Sequence, residues 1–301
     1  MPIHDLGYRP WQGTRVPEVG RFWAIAVTGV RLAWKNRWLR RILYLTWLPA
    51  LYLSVGFLFY EQWLAQERPR HAVESFLSGF PVVQDRHHAW SWLLWVFFRY
   101  PQGLWMVIVV GLIAPPLIAQ DVRTRAFLLY FSRPITRLEY LMGKMSVVWV
   151  YLVAITTAPA LLMYGAGLLL SSDLGAIRDT WDLPLRILAA SLVLTIPTTA
   201  LALCFSSLTS DTRYATFAWF AFWGVGWITY AIALTHLDAA AVDRWTVISL
   251  YHTLGKVQGW VFGLQSGTFV KQVLPAALEL VGLTAVALAV LVRRISSPMR
   301  I

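Results

Sequence analysis

Six long runs with little or no charge constrain this chain more than any other feature. They are Ile42–Tyr60, Gly103–Gln120, Met145–Leu170, Ile187–Leu208, Thr216–Leu234 and Val273–Val292, the last interrupted only by Glu279. A helix rises ~1.5 Å per residue, so roughly 20 apolar residues cross a hydrocarbon core about 30 Å thick. A soluble core has no need of such unbroken runs. The chain is 58% hydrophobic and only 14% charged, against roughly 45–50% and 25% in soluble domains. These features predict an all-α polytopic integral membrane protein, one transmembrane domain of six helices over residues 1–301.

Prolines at 49, 115, 116, 159, 197 and 275 fall within the runs. In water each would cost about 3 kcal/mol inside a helix. In a bundle, neighbouring hydroxyls can satisfy the freed carbonyls, and Thr195, Thr198 and Thr199 beside Pro197 are the candidates.

Before the first run, Trp23, Val27, Val30, Trp34 and Trp38 recur every three or four residues, with Arg31, Lys35, Arg37, Arg40 and Arg41 on the polar side. This predicts an amphipathic helix over 22–38, in the headgroup plane or packed beneath the bundle. Charge then orients the chain. The side holding both termini, the 121–144 loop and the 209–215 loop carries 17 basic and five acidic residues; the other side carries nine of each. The positive-inside rule places both termini, with residues 1–41, in the cytoplasm. The net +11 therefore predicts anionic lipid as a partner and no nucleic acid.

Two external segments remain, 61–102 and 235–272. In the first, Trp90–Tyr100 is expected to lie on the membrane or cap the bundle. In the second, Val257–Val270 is 14 uncharged residues, which suits a re-entrant piece before the last span. Gly255, Gly259, Gly263 and Gly267 recur at every fourth position, a smooth helical stripe for close packing or an outer gate.

Catalytic and metal motifs are missing. His71, Asp85, His87 and His88 share an external loop but read as solvated side chains, not a metal site. Gly143-Lys144 lacks the earlier glycine of a phosphate-cradling loop, so this chain is expected to be no enzyme and to bind no cofactor. Glu279 is the one acid within a run. A carboxylate at mid-span costs roughly 2.5–3.5 kcal/mol, so it should face the interior, and it could carry a proton.

The most informative segment is 121–144. Pro134 should stop a first helical piece at Arg133, and Thr136 with Glu139 forms a capping box that starts a second. Between them Ser132–Arg137 makes a basic knuckle against which another protein could push.

This segment resembles the coupling region of permease subunits of type-2 ATP-binding-cassette (ABC) transporters. Members carry an acid at the end of the second span, a leucine-rich stretch, proline, a hydroxyl residue with arginine, and glycine-lysine before the third span. The matching places are Asp121, Phe127-Leu128-Leu129, Pro134, Thr136-Arg137 and Gly143-Lys144. The resemblance implies two permease chains, identical or related, in a prokaryotic cytoplasmic membrane. Each would dock a cytosolic ABC ATPase, which binds the ATP and Mg, through Asp121, Arg123, Arg125, Ser132, Arg133, Pro134, Thr136 and Arg137. The work driven would be export or conformational change. A proton-coupled secondary transporter using Glu279 and a non-transporting scaffold are the alternatives.

Overall fold

The computed structural model describes residues 21–65, 86–126, 135–171, 175–236, 246–264 and 273–296. Among them there is no strand, and six helices are long and apolar enough to cross a membrane: Arg37–Leu58, Gly103–Arg123, Arg137–Leu170, Gly175–Leu208, Thr212–His236 and Leu274–Ser296. All six expected runs fall on these spans, although the helices reach further into the flanking polar residues.

The amphipathic helix α1 covers Arg21–Trp34 and stops short of the expected Trp38. Asn36 is extended (φ −72°, ψ 113°) and its side chain accepts a hydrogen bond from the Trp38 amide, so it caps a new helix, α2 (Arg37–Leu45). A short polar side chain satisfies an otherwise orphaned donor better at a helix start than within one. Helix α1 packs on the helix that opens the third span, α6 (Arg137–Ile155). A Cβ on Gly143 would lie 3.0 Å from the Phe22 carbonyl oxygen and 2.8 Å from Ile25 Cβ. Further along, Gly29 meets Val147, and the Tyr151 hydroxyl donates to the Val30 carbonyl at 2.8 Å.

The prolines divide into two classes. Pro49 stands in the first turn of α3 (Leu48–Ala65) and Pro275 in the first turn of α12 (Leu274–Ser296), where their missing N–H is no loss. Pro159 opens α7 (Thr157–Leu170) and so splits the third span from α6 at Thr156, whose hydroxyl donates to the Leu152 carbonyl. Pro115 and Pro116 lie inside α5 (Gly103–Arg123), and Pro197 inside α9 (Leu183–Leu208).

Ser206 of α9 repairs the break in α5. Its hydroxyl donates to the Pro115 carbonyl (2.7 Å) and accepts from the Ile118 and Ala119 amides (3.1 Å each). The expected donors beside Pro197 do not act this way. The hydroxyls of Thr195, Thr198 and Thr199 are buried and make no hydrogen bond among the described residues.

Helix α9 is the centre of the bundle, packed against both α5 and α12. It is preceded by the short α8 (Gly175–Thr180) and followed by the fifth span, α10 (Thr212–His236). Trp219 of α10 donates to the Val107 carbonyl at 2.8 Å and fills the space beside Gly111, joining span five to span two. At the end of the bundle away from the 121–144 loop lies a cap. It is built from α4 (Arg86–Phe97), a π-helical turn Phe98–Gln102, a 3-10 turn Thr246–Ile248 and α11 (Leu250–Val261).

Candidate functional site

The loop end begins where α5 stops at Arg123, ten residues before the expected break at Arg133. The Thr124 amide and hydroxyl both reach the Gln120 carbonyl, and Arg125 adopts a left-handed conformation (φ 53°) that no regular helix continues. Arg123 and Arg125 are exposed. Ser132, Arg133 and Pro134 lie outside the described residues. On the return side Thr136 (φ −75°, ψ 156°) caps α6. Glu139 N–H donates to its hydroxyl (3.2 Å), while the Glu139 carboxylate accepts from the Thr136 amide at 2.7 Å. Arg137, the first residue of α6, is exposed.

Below this rim the two helices are clamped. Lys144 Nζ lies 2.7 Å from Asp121 Oδ2 and donates to the Leu117 carbonyl at 2.6 Å. The Tyr140 hydroxyl donates to the same Asp121 oxygen at 2.6 Å, and the ammonium also stands 5.4 Å from the Tyr140 ring centre. The ring itself is fully buried, and the Lys144 and Asp121 side chains are only 10% and 14% exposed. One carboxylate thus holds a cation and a phenol from the opposite helix, across a 23-residue sequence gap closed in space. Tyr140 went unnoticed in the sequence, although it precedes Lys144 by four residues and so shares its helix face.

Residues 81–258 match the family model described as ABC-2 family transporter protein. That is more than half of the chain. The chain belongs to the ABC-2 transporter family. No curated protein matches it.

Beside the clamp this ABC-2 permease has a cleft of ≈ 760 Å³ between α1 and α5, floored by Lys144 of α6 and closed at one end by Leu39 of α2. Both α1 and α5 pack on α6, and the gap between them is the cleft.

The cap end holds a second charged cluster that sequence reading missed. Glu61, one residue past the first apolar run, is 1% exposed and lies inside α3, which runs on to Ala65. Its carboxylate accepts from Arg86 Nε and Nη2 and from Trp90 Nε1, all at 3.1 Å. One residue on, His87 Nε2 lies 2.9 Å from Asp182, which Arg186 also engages, and Arg186 donates to the Val261 carbonyl at 3.0 Å. His87 is therefore paired, not simply solvated. Among the described residues no three metal-binding side chains gather; His71 and Asp85 lie outside them.

The glycine stripe is not one helix face. Helix α11 spans 250–261, not 257–270, and Gly263 stands past its end with φ +74°, where Arg186 lies against it. Gly255 makes room for a side chain, since a Cβ there would sit 2.5 Å from Arg99 Cδ. Gly259 is buried within α11, and Gly267 lies outside the described residues. Arg99 and Tyr251 bond reciprocally, side chain to carbonyl in both directions, at 2.8 and 2.7 Å. His252 stacks on Tyr230 with ring centres 3.4 Å apart. Burial first, and the Arg99 charge second, push its pKa from 6.5 to about 4. Glu279 in α12 accepts from the Thr253 hydroxyl at 2.9 Å, which ties the last span to α11.

Proposed function

We propose that this chain is the membrane half of an ABC transporter whose ATP and Mg are bound by a separate cytosolic ATPase, docked on the exposed rim from Arg123 to Arg137. A second permease chain, identical or related, completes the pathway. The setting is a prokaryotic cytoplasmic membrane with both termini inside, and the work is export or conformational change. The observation that supports this reading is the Asp121–Tyr140–Lys144 clamp. It fastens spans two and three immediately below the rim, so displacement of the rim moves both spans as a unit. An exposed helix start with a full capping box is a stiff contact surface, since its first-turn donors are already satisfied.

Purification in mild detergent tests the reading. The wild type is expected to carry a stoichiometric ATPase, and Arg133→Glu with Arg137→Glu to release it while leaving the chain folded. Retention of the ATPase by that variant would remove the docking assignment. Proton carriage by Glu279 remains the second reading. Its half-buried carboxylate already has a hydroxyl partner in Thr253, which suits a structural tie between α12 and α11.

A further inference from the structure

The cleft between α1 and α5 has a composition that neither the clamp nor ATPase docking requires. Its walls are Ile25, Leu32, Leu39, Ile113, Pro116 and Leu117, with Asn36 and Gln120 at the margins. Its only cation, Lys144, is neutralised by Asp121 at 2.7 Å, so the walls offer no net charge. The volume of ≈ 760 Å³ is that of a small-molecule site, commonly about 300–1,000 Å³. Water gains little in an apolar groove, where it lacks its usual two to four polar partners. The surrounding solvent of a six-span protein is lipid.

Charge selects among lipids. The lining face of α1 runs from Ala24 through Thr28 and Leu32 to Asn36. Arg31 and Lys35 follow Thr28 and Leu32 by three residues each, so both edge that face, and both are exposed. Arg37, Arg40 and Arg41 continue the basic edge along α2, all exposed. From residue 24 to residue 36 a helix advances about 18 Å, close to the ~15 Å depth of one leaflet. We propose that this cleft is a binding site for one anionic phospholipid of the bilayer, with an acyl chain between α1 and α5 and its phosphate against Arg31 and Lys35. The site belongs to the permease chain itself and does not depend on whether an ATPase docks on the loop.

The test is native mass spectrometry of the full chain, purified in mild detergent from membranes holding both phosphatidylglycerol and phosphatidylethanolamine. The wild type is expected to retain one phospholipid per chain, with phosphatidylglycerol preferred about tenfold or more. Ala24→Trp, which fills the cleft, should remove it, and the milder Thr28→Leu should weaken it. Arg31→Glu with Lys35→Glu should leave a lipid bound but erase the headgroup preference. Equal retention of the two headgroups by wild type overturns the site, and so does unchanged retention in an Ala24→Trp variant of normal thermal stability. Lipid binding that appears only after residues 2–20 are deleted would show that the chain's own N-terminus occupies the cleft, and would also overturn it.

Discussion

The two ends of the bundle fasten their helices by different means. At the cap end a buried carboxylate, Glu61, takes three donors from Arg86 and Trp90, and the adjoining His87–Asp182–Arg186 chain reaches the last turn of α11 at Val261. At the loop end one ion pair and one phenol join α5 to α6, and the residues above them are exposed cations. Buried charges with complete hydrogen bonding hold one arrangement, because breaking any member strands the others. A single pair near solvent gives a joint that transmits force without locking the bundle. The cap end is built to stay and the loop end to be pushed.

The largest expected effect tests the first half of that contrast. Glu61→Ala strands the Arg86 guanidinium and the Trp90 N–H, a loss of about 3–5 kcal/mol for a broken buried pair. Thermal unfolding in detergent should show it, and Glu61→Met with Arg86→Met should recover most of the loss. An unchanged midpoint in the single variant would mean that the cap end is not held by this pair.

Next comes the joint. Lys144→Met leaves Asp121 with only the Tyr140 hydroxyl and should cost roughly 1.5–3 kcal/mol, less than the loss at Glu61. Its functional effect should exceed its effect on stability, with ATPase binding kept and ATP-driven work lost. If transport survives at the wild-type rate, the clamp is only a packing device. Smaller again is Thr136→Ala, which removes the hydroxyl half of the capping box for about 1 kcal/mol. It should weaken ATPase docking several-fold without touching the clamp, as a binding titration would show.

Acid should affect the two ends unequally. His252 titrates near 6.5 when unfolded and about 4 in the fold. The unfolded state binds the proton first, so this contribution is complete above pH 6.5 and is lost as pH falls from about 6.5 toward 4. Hydrogen exchange should therefore rise in α11 across that window ahead of α6. Equal or reversed acceleration would break the contrast.

How much of this was legible in the sequence depends on range. The spans and the capping box are encoded in short windows, by apolar runs and by Thr136 with Glu139, and both stand in the structure. The clamp was half legible, since its charged members are motif positions, but their contact requires two helices to return side by side. Glu61–Arg86 was not legible, because a carboxylate just beyond an apolar run looks the same whether its helix ends or continues. The split of 22–38 at Asn36 shows a local capping choice overriding an apolar repeat that continues through it. Likewise Ser206, not the threonines near Pro197, serves the proline break, since bundle packing rather than sequence distance brings a hydroxyl to a freed carbonyl.

The smallest expected effect is the most diagnostic for mechanism. Glu279→Gln keeps an acceptor oxygen for the Thr253 hydroxyl, now 2.9 Å from the carboxylate, while removing any proton to be carried. If α12 is only tied to α11 there, the variant should keep its unfolding midpoint and its ATP-driven activity. A proton carrier makes the opposite demand, because a glutamine cannot cycle between charged and neutral forms. Proton-coupled flux in liposomes without any ATPase, abolished by this one substitution, would move the working residue from the loop end to the cap end. The proposed division between a fixed end and a pushed end would then fail, since the fixed end would be the one that changes state in each cycle.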